Sequence, residues 1–180
     1  MSIYSTDAWQ SNYDYVVNDV VISELTYAGE ASDYYFYCLK DHHSTSADIS
    51  SDYNNGNWGG IVANQSVVYP HFLWVPSYGL TVRQEPKVKT VKFGDGYEQR
   101  VPDGINTSLL MIDYSFDNRK LSEATAILHF LFQRAAHEPF MYTPLAPYDT
   151  QKLFVCRTWE HNQVFVDNFS IKARFEEVPA

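Results

Sequence analysis

"FGDGYEQRVPDGIN", residues 93–106, sets three glycines, a proline and a run of charges directly after an alternating segment. In that segment Val88, Thr90 and Lys92 alternate with Lys89, Val91 and Phe93, which is the period of an extended strand. Asp95-Gly96 is a two-residue reversal, because both residue types tolerate positive φ. Pro102-Asp103-Gly104 is a second turn, and a strand from about Ser108 to Phe116 follows it. Residues 88–116 therefore predict a β element that reverses direction twice, and a fold assembled from hairpins.

Working outward, "HFLWVPSYGLTVRQEP" before this block is extended chain broken by Pro76 and Pro86. After it, Ala124, Ile127, Leu128, Leu131 and Ala135 form one apolar stripe at helical spacing. Asp117 or Asn118 is expected to cap that helix and Pro139 to stop it. Phe130 and Phe132 lie off the stripe, so the helix is expected to be covered on more than one side; His129 and His137 are expected at the surface. A Pro-rich loop, "PFMYTPLAPYD", precedes two strands, "KLFVCRTWE" and "VFVDNFSIKARFEEV". The order describes an α+β domain, mainly β, with an antiparallel sheet or sandwich and one flanking helix.

The first third reads differently. Residues 1–66 hold nine Asp and Glu against a single Lys, so most of the net charge of −9 sits there. Residues 67–180 are close to neutral, with thirteen acidic and twelve basic side chains. That asymmetry predicts two modules, 1–66 and 67–180, joined at residues 60–70, where Gly59 and Gly60 loosen the chain. Tyr13, Tyr15 and Val17, then Val20 and Ile22, predict short strands around an Asn18-Asp19 turn, and "YYFYCL", residues 34–39, predicts another. The Ser-, Asn- and Gly-rich stretch from Asp41 to Gly60 reads as a polar loop. Few aliphatic residues occur in this small all-β module, so its aromatics must supply much of its core.

Composition narrows the function. No apolar run approaches the roughly 20 residues of a membrane span, and no basic-then-apolar signal segment opens the chain, so it is expected to be made in the cytosol without membrane insertion. Cys38 and Cys156 lack a metal-binding or redox spacing and are expected to be reduced, packed thiols. Asp41-His42-His43 has no second cluster to complete a metal site. Glu176 and Glu177 are expected to solvate an exposed terminus. No serine sits in a nucleophile elbow, and the glycine-rich stretch leads from strand to strand rather than into a helix that could cradle a phosphate. No catalytic set, cofactor or basic nucleic-acid surface is expected.

"VKTVKFGDGYEQRVPDGIN", the helix "EATAILHFLFQRA", then "EPFMYTPLAPYDTQKLFVCRTWE" and "SIKARFEEV" together resemble the phage minor tail protein M family of lambda-type siphophages, over about residues 72–180. Arg100, Gly104, Asn106, Phe140, Pro144, Cys156 and Trp159 fall on the family pattern. The resemblance implies a tail-tube-like β-sandwich with a flanking helix and a subunit of a ring, expected to be hexameric. It implies a place in the virion tail tip, between the tail tube protein and the baseplate hub, near the tape-measure protein, after assembly in the host cytoplasm. DNA would pass through the lumen without specific binding. It brings no enzymatic activity.

Family members of this type begin near the equivalent of Phe72-Leu73-Trp74, so the first third is an addition. It resembles, more weakly, small carbohydrate-binding modules of the chitin-binding type 5/12 class, through Trp9, Tyr13, Asn18-Asp19-Val20-Val21, Tyr35–Leu39 and Asn57-Trp58. The resemblance implies that Trp9, Tyr13, Tyr35 and Trp58 stack on a host surface glycan. The alternative is a decoration or docking module in which Trp9 and Trp58 are core. In the ring reading, the hairpin carrying Phe93, Gly94, Asp95, Gly96, Tyr97, Glu98, Arg100, Gly104 and Asn106 is the candidate assembly surface.

Overall fold

The computed structural model describes residues 6–64 and 67–179. In the first third, β1 (Asp7–Ala8) and β2 (Asp14–Tyr15) lead into a hairpin of β3 (Val20–Tyr27) and β4 (Glu30–Cys38). The turn uses Ala28 and Gly29, both at positive φ, which matches the twist of the paired strands. The stretch expected as a polar loop is structured: it holds β5 (His42–His43), a short helix α1 (Ile49–Asn54) and β6 (Trp58–Gly59). Asp48 starts α1, its side chain accepting from the Ser50 amide, a local cap that offsets the poor helix propensity of the Ser-rich run. Strand order in this sheet is β1-β3-β4-β6.

The expected join is a hairpin, β7 (Ile61–Asn64) against β8 (Val67–Pro70), and residue 66, where the two modules were divided, lies outside the described residues. Gly60 is packed rather than slack. Its φ is +125, and a Cβ there would lie 2.7 Å from the Tyr35 carbonyl oxygen.

Beyond the join come β9 (Thr81–Gln84), β10 (Val88–Lys92), a 3-10 turn at Gly94–Gly96, β11 (Glu98–Pro102), β12 (Leu110–Arg119), α2 (Leu121–Arg134), β13 (Phe140–Tyr142), β14 (Lys152–Phe165) and β15 (Asn168–Glu177). Five of these strands form one antiparallel sheet, in the order β13-β14-β15-β12-β9. Alternation sets its inner face: Leu110, Ile112, Tyr114 and Phe116 from β12 are buried, as are Ile171, Ala173 and Phe175 from β15. The molecule is mainly β, in mixed α+β form, with several antiparallel sheets and two α-helices among the described residues. No helix among the described residues is long and apolar enough to cross a membrane.

The start of α2 differs from expectation. The Leu121 amide donates to Asp167 Oδ1 at 2.7 Å, so the cap comes from the β14–β15 turn, 46 residues away. Asp117 is taken instead by the hydroxyls of Ser115 and Ser170, and Asn118 (φ 57) sits in a bulge of β12. The helix ends at Arg134 with Ala135 in the left-handed region, before Pro139 is reached. The last two strands also divide later than expected: β14 runs on through Phe165, and the chain turns at Val166-Asp167.

The larger of two cores draws on both parts of the chain. Phe72 is its hub, with the rings of Trp74, Phe130, Phe140, Tyr142 and Phe175 around it at centroid distances of 5.1 to 6.0 Å, mostly edge to face. Val20 and Tyr37 of the first third are buried in this same cluster. The opposite face of β4 sends Phe36 and Cys38 into a second cluster with Tyr15, Val21, Ile49, Trp58 and Ile61. So β4 is a wall shared by two cores, and the side of α2 carrying His129 and Phe130 is covered by residues of the first third.

Candidate assembly surfaces

The hairpin of β10 and β11 pairs Val88 with Pro102 through to Lys92 with Glu98. Asp95 (φ 65) and Gly96 (φ 77) take the expected positive φ, but the turn closed by the Phe93 amide donating to the Tyr97 carbonyl at 2.7 Å holds three residues, Gly94–Gly96, rather than the two expected. At the base, the Lys87 amide donates to Thr107 O and the Asp103 amide to Lys87 O, with Gly104 (φ 102) in the second turn. The ribbon pairs with no other strand among the described residues, and every residue from Arg83 to Asn106 is exposed.

Register divides the ribbon into two faces. Val91, Phe93, Tyr97 and Val101 share one with Lys89 and Gln99; Thr90, Lys92, Glu98 and Arg100 share the other with Val88 and Pro102. Glu98 and Arg100 form an ion pair within the second face. Gly94 and Asn106 lie at the two ends of the block, both exposed. A two-stranded ribbon with no third strand and no covering layer is marginal alone in water, so this geometry suits a surface completed by a partner.

The four aromatics read as a glycan platform are not brought together. Trp58 is 2% exposed, wedged between Tyr15 at 4.8 Å and His42 at 5.4 Å, so its ring has no face open to a sugar; the small module needs it as core. Tyr35 is half-buried, with its ring against His129 at 5.0 Å. Trp9 is half-buried on the second core. Tyr13 keeps an open ring, at 50% exposure, beside Tyr15.

His42 and His43 point to different partners, His42 toward Asp52 (4.0 Å) and Cys38, His43 to Asp14 at 2.6 Å. No group of three or more His, Cys, Asp or Glu side chains among the described residues is arranged to hold a metal. Cys38 and Cys156 are buried and unpaired as thiols, and burial pushes their pKa values up to about 11 and about 12. The Glu176-Glu177 pair is engaged rather than free. Glu177 accepts from the Leu110 amide and from Lys152, and Glu176 pairs with Arg157.

The residue that sequence reasoning misplaced is His129. It is buried, not on the surface, and its Nδ1 stands 3.0 Å from the Tyr37 hydroxyl. Burial, with a smaller contribution from the Arg134 charge, lowers its pKa to about 4, so the imidazole is neutral. Burial raises the pKa of Tyr37 well above the usual phenol range, so a neutral hydroxyl and a neutral imidazole share the hydrogen bond. The off-stripe Phe130 was the clue: a helix covered on that side also covers its neighbour.

A model of the phage minor tail protein family matches residues 70–179. Tail tip protein M of Escherichia phage lambda is 33% identical over 108 residues, which are 59% of this chain and 95% of that protein. The match contains the ribbon, α2 and the five-stranded sheet, and leaves out the first third.

Proposed function

We propose, from the premise that the chain belongs to the phage minor tail protein family, that it forms the tail-tip ring of a long-tailed phage, between the tail tube and the baseplate hub. The role is structural, and family membership carries the non-enzymatic reading. The observation that supports the ring most is the exposed ribbon, because a subunit that closes head-to-tail needs two different complementary surfaces. Homo-oligomerisation, expected to be sixfold, with the tube protein, hub and tape-measure protein as neighbours and DNA passing through the lumen, belongs to this proposal. So does assembly in the host cytoplasm.

Residues 1–66 form a decoration or docking unit seated on α2. Docking is preferred to glycan binding because Trp58 and Tyr35 are spent on packing. The test is native mass of the purified chain together with images of particles in which it is labelled. A ring mass and a label at the tail tip support the reading; a label elsewhere on the particle overturns it. Arg100→Glu, on the exposed ribbon, is expected to keep the circular dichroism of the wild type while reducing tail assembly.

A further inference from the structure

We infer that the apolar face of the ribbon seats in a groove of a second copy of this chain, between that copy's first third and its Leu73–Val75 segment. The inference rests on the ring reading, and names the two surfaces that meet.

The ribbon presents Val91, Phe93, Tyr97 and Val101 on one side, all four exposed among the described residues. It is also basic along β10: Lys87, Lys89 and Lys92 enter none of the ion pairs formed among the described residues. The groove is a cavity of about 370 Å³ lined by Val17, Leu39, Leu73, Trp74 and Val75, with the Arg119–Glu123 ion pair on its border. Val17, Leu39 and Val75 are exposed there. One carboxylate is held beside it: Asp41 Oδ1 accepts at 2.8 Å from the amide of Val17, which lines the groove. An apolar ribbon with a basic strand thus matches an apolar groove with the Asp41 carboxylate beside it, one wall of which belongs to the part of the chain that carries nearly all its net negative charge.

The two surfaces lie at opposite ends of β12. The chain enters the ribbon from Gln84, which pairs with Leu110, whereas the groove borders on Arg119 at the other end of the strand. Ten residues of strand separate these ends by roughly 30 Å. Such a placement joins one copy to the next head-to-tail, the contact that closes a ring.

The experiment puts Tyr97→Cys and Val17→Cys in one full-length chain, purifies tails containing it, and oxidises mildly. A ladder of linked copies on a denaturing gel is expected from the double variant, and none from either single variant. Phe93→Asp and Val17→Asp should each keep wild-type circular dichroism and lower tail yield at least tenfold. Tails holding several copies but giving no ladder, or either Asp variant assembling at wild-type yield, would overturn the contact and leave the ring standing. A linked dimer from Tyr97→Cys alone would make the contact ribbon-to-ribbon and overturn it as well. A single copy per tail would overturn the ring reading, and the contact with it.

Discussion

The Tyr37 hydroxyl of β4 shares a hydrogen bond with Nδ1 of His129 on α2 across 3.0 Å, joining the added first third to the family domain through a buried contact. Trp74 and Phe130 pack on the same tyrosine ring, at 5.0 and 5.9 Å. The junction is therefore part of the core, and its strength is measurable.

Tyr37→Phe keeps the ring and removes the hydroxyl that satisfies a buried imidazole nitrogen, so a loss of about 1–2 kcal/mol is expected. Tyr37→Ala also opens a cavity beside Trp74 and Phe130, for about 3–5 kcal/mol. Urea unfolding of both variants checks this. Equal midpoints for Tyr37→Phe and wild type would mean that the hydrogen bond contributes nothing.

Acid should weaken the junction. His129 is neutral in the fold because its pKa is lowered to about 4, while the unfolded histidine titrates near its ordinary value of 6.5. Between those values the unfolded chain binds the extra proton, so stability falls as pH drops from about 6.5 toward 4, by about 2 kcal/mol from this group. His129→Gln, which does not titrate there, should flatten that part of the profile. Parallel profiles for the two proteins would remove His129 as the cause.

Glycine is required at two positions for different reasons. At Gly96 (φ +77) no atom lies within 4 Å of an added Cβ, so the cost is backbone strain alone: Gly96→Val should cost about 1–2 kcal/mol locally and Gly96→Asn less. Hydrogen exchange of the ribbon amides reads this. At Gly60 an added methyl meets the Tyr35 carbonyl, so Gly60→Ala should lower the global melting temperature as well. A Gly60→Ala chain as stable as wild type would show that β4 and the β7–β8 hairpin separate easily.

Removing residues 1–66 should leave the five-stranded sheet folded, since none of its strands comes from that part of the chain. It should also uncover Trp74, His129 and Phe130, lowering the melting temperature and shifting tryptophan fluorescence to the red. A shortened chain with no cooperative transition would show that the two parts fold only together.

What residue order alone determined was local. The alternation of Leu110, Ile112, Tyr114 and Phe116 specified a half-buried strand, and Asp95-Gly96 specified a reversal. The stripe from Ala124 to Leu131 specified a helix. In each, the side-chain period or the allowed φ is set within a few residues of chain. The FGDGY block was legible for the same reason, and the family match covers the region around it. Tertiary structure decided the rest. Trp58 became core instead of a sugar platform because Tyr15 and His42, distant in sequence, close over it. His129 went inside because β4 covers its side of α2, and Asp167 rather than Asp117 capped that helix because the β14–β15 turn arrives there. Burial and capping depend on which surfaces meet across the fold, and residues far apart in the chain supply those surfaces.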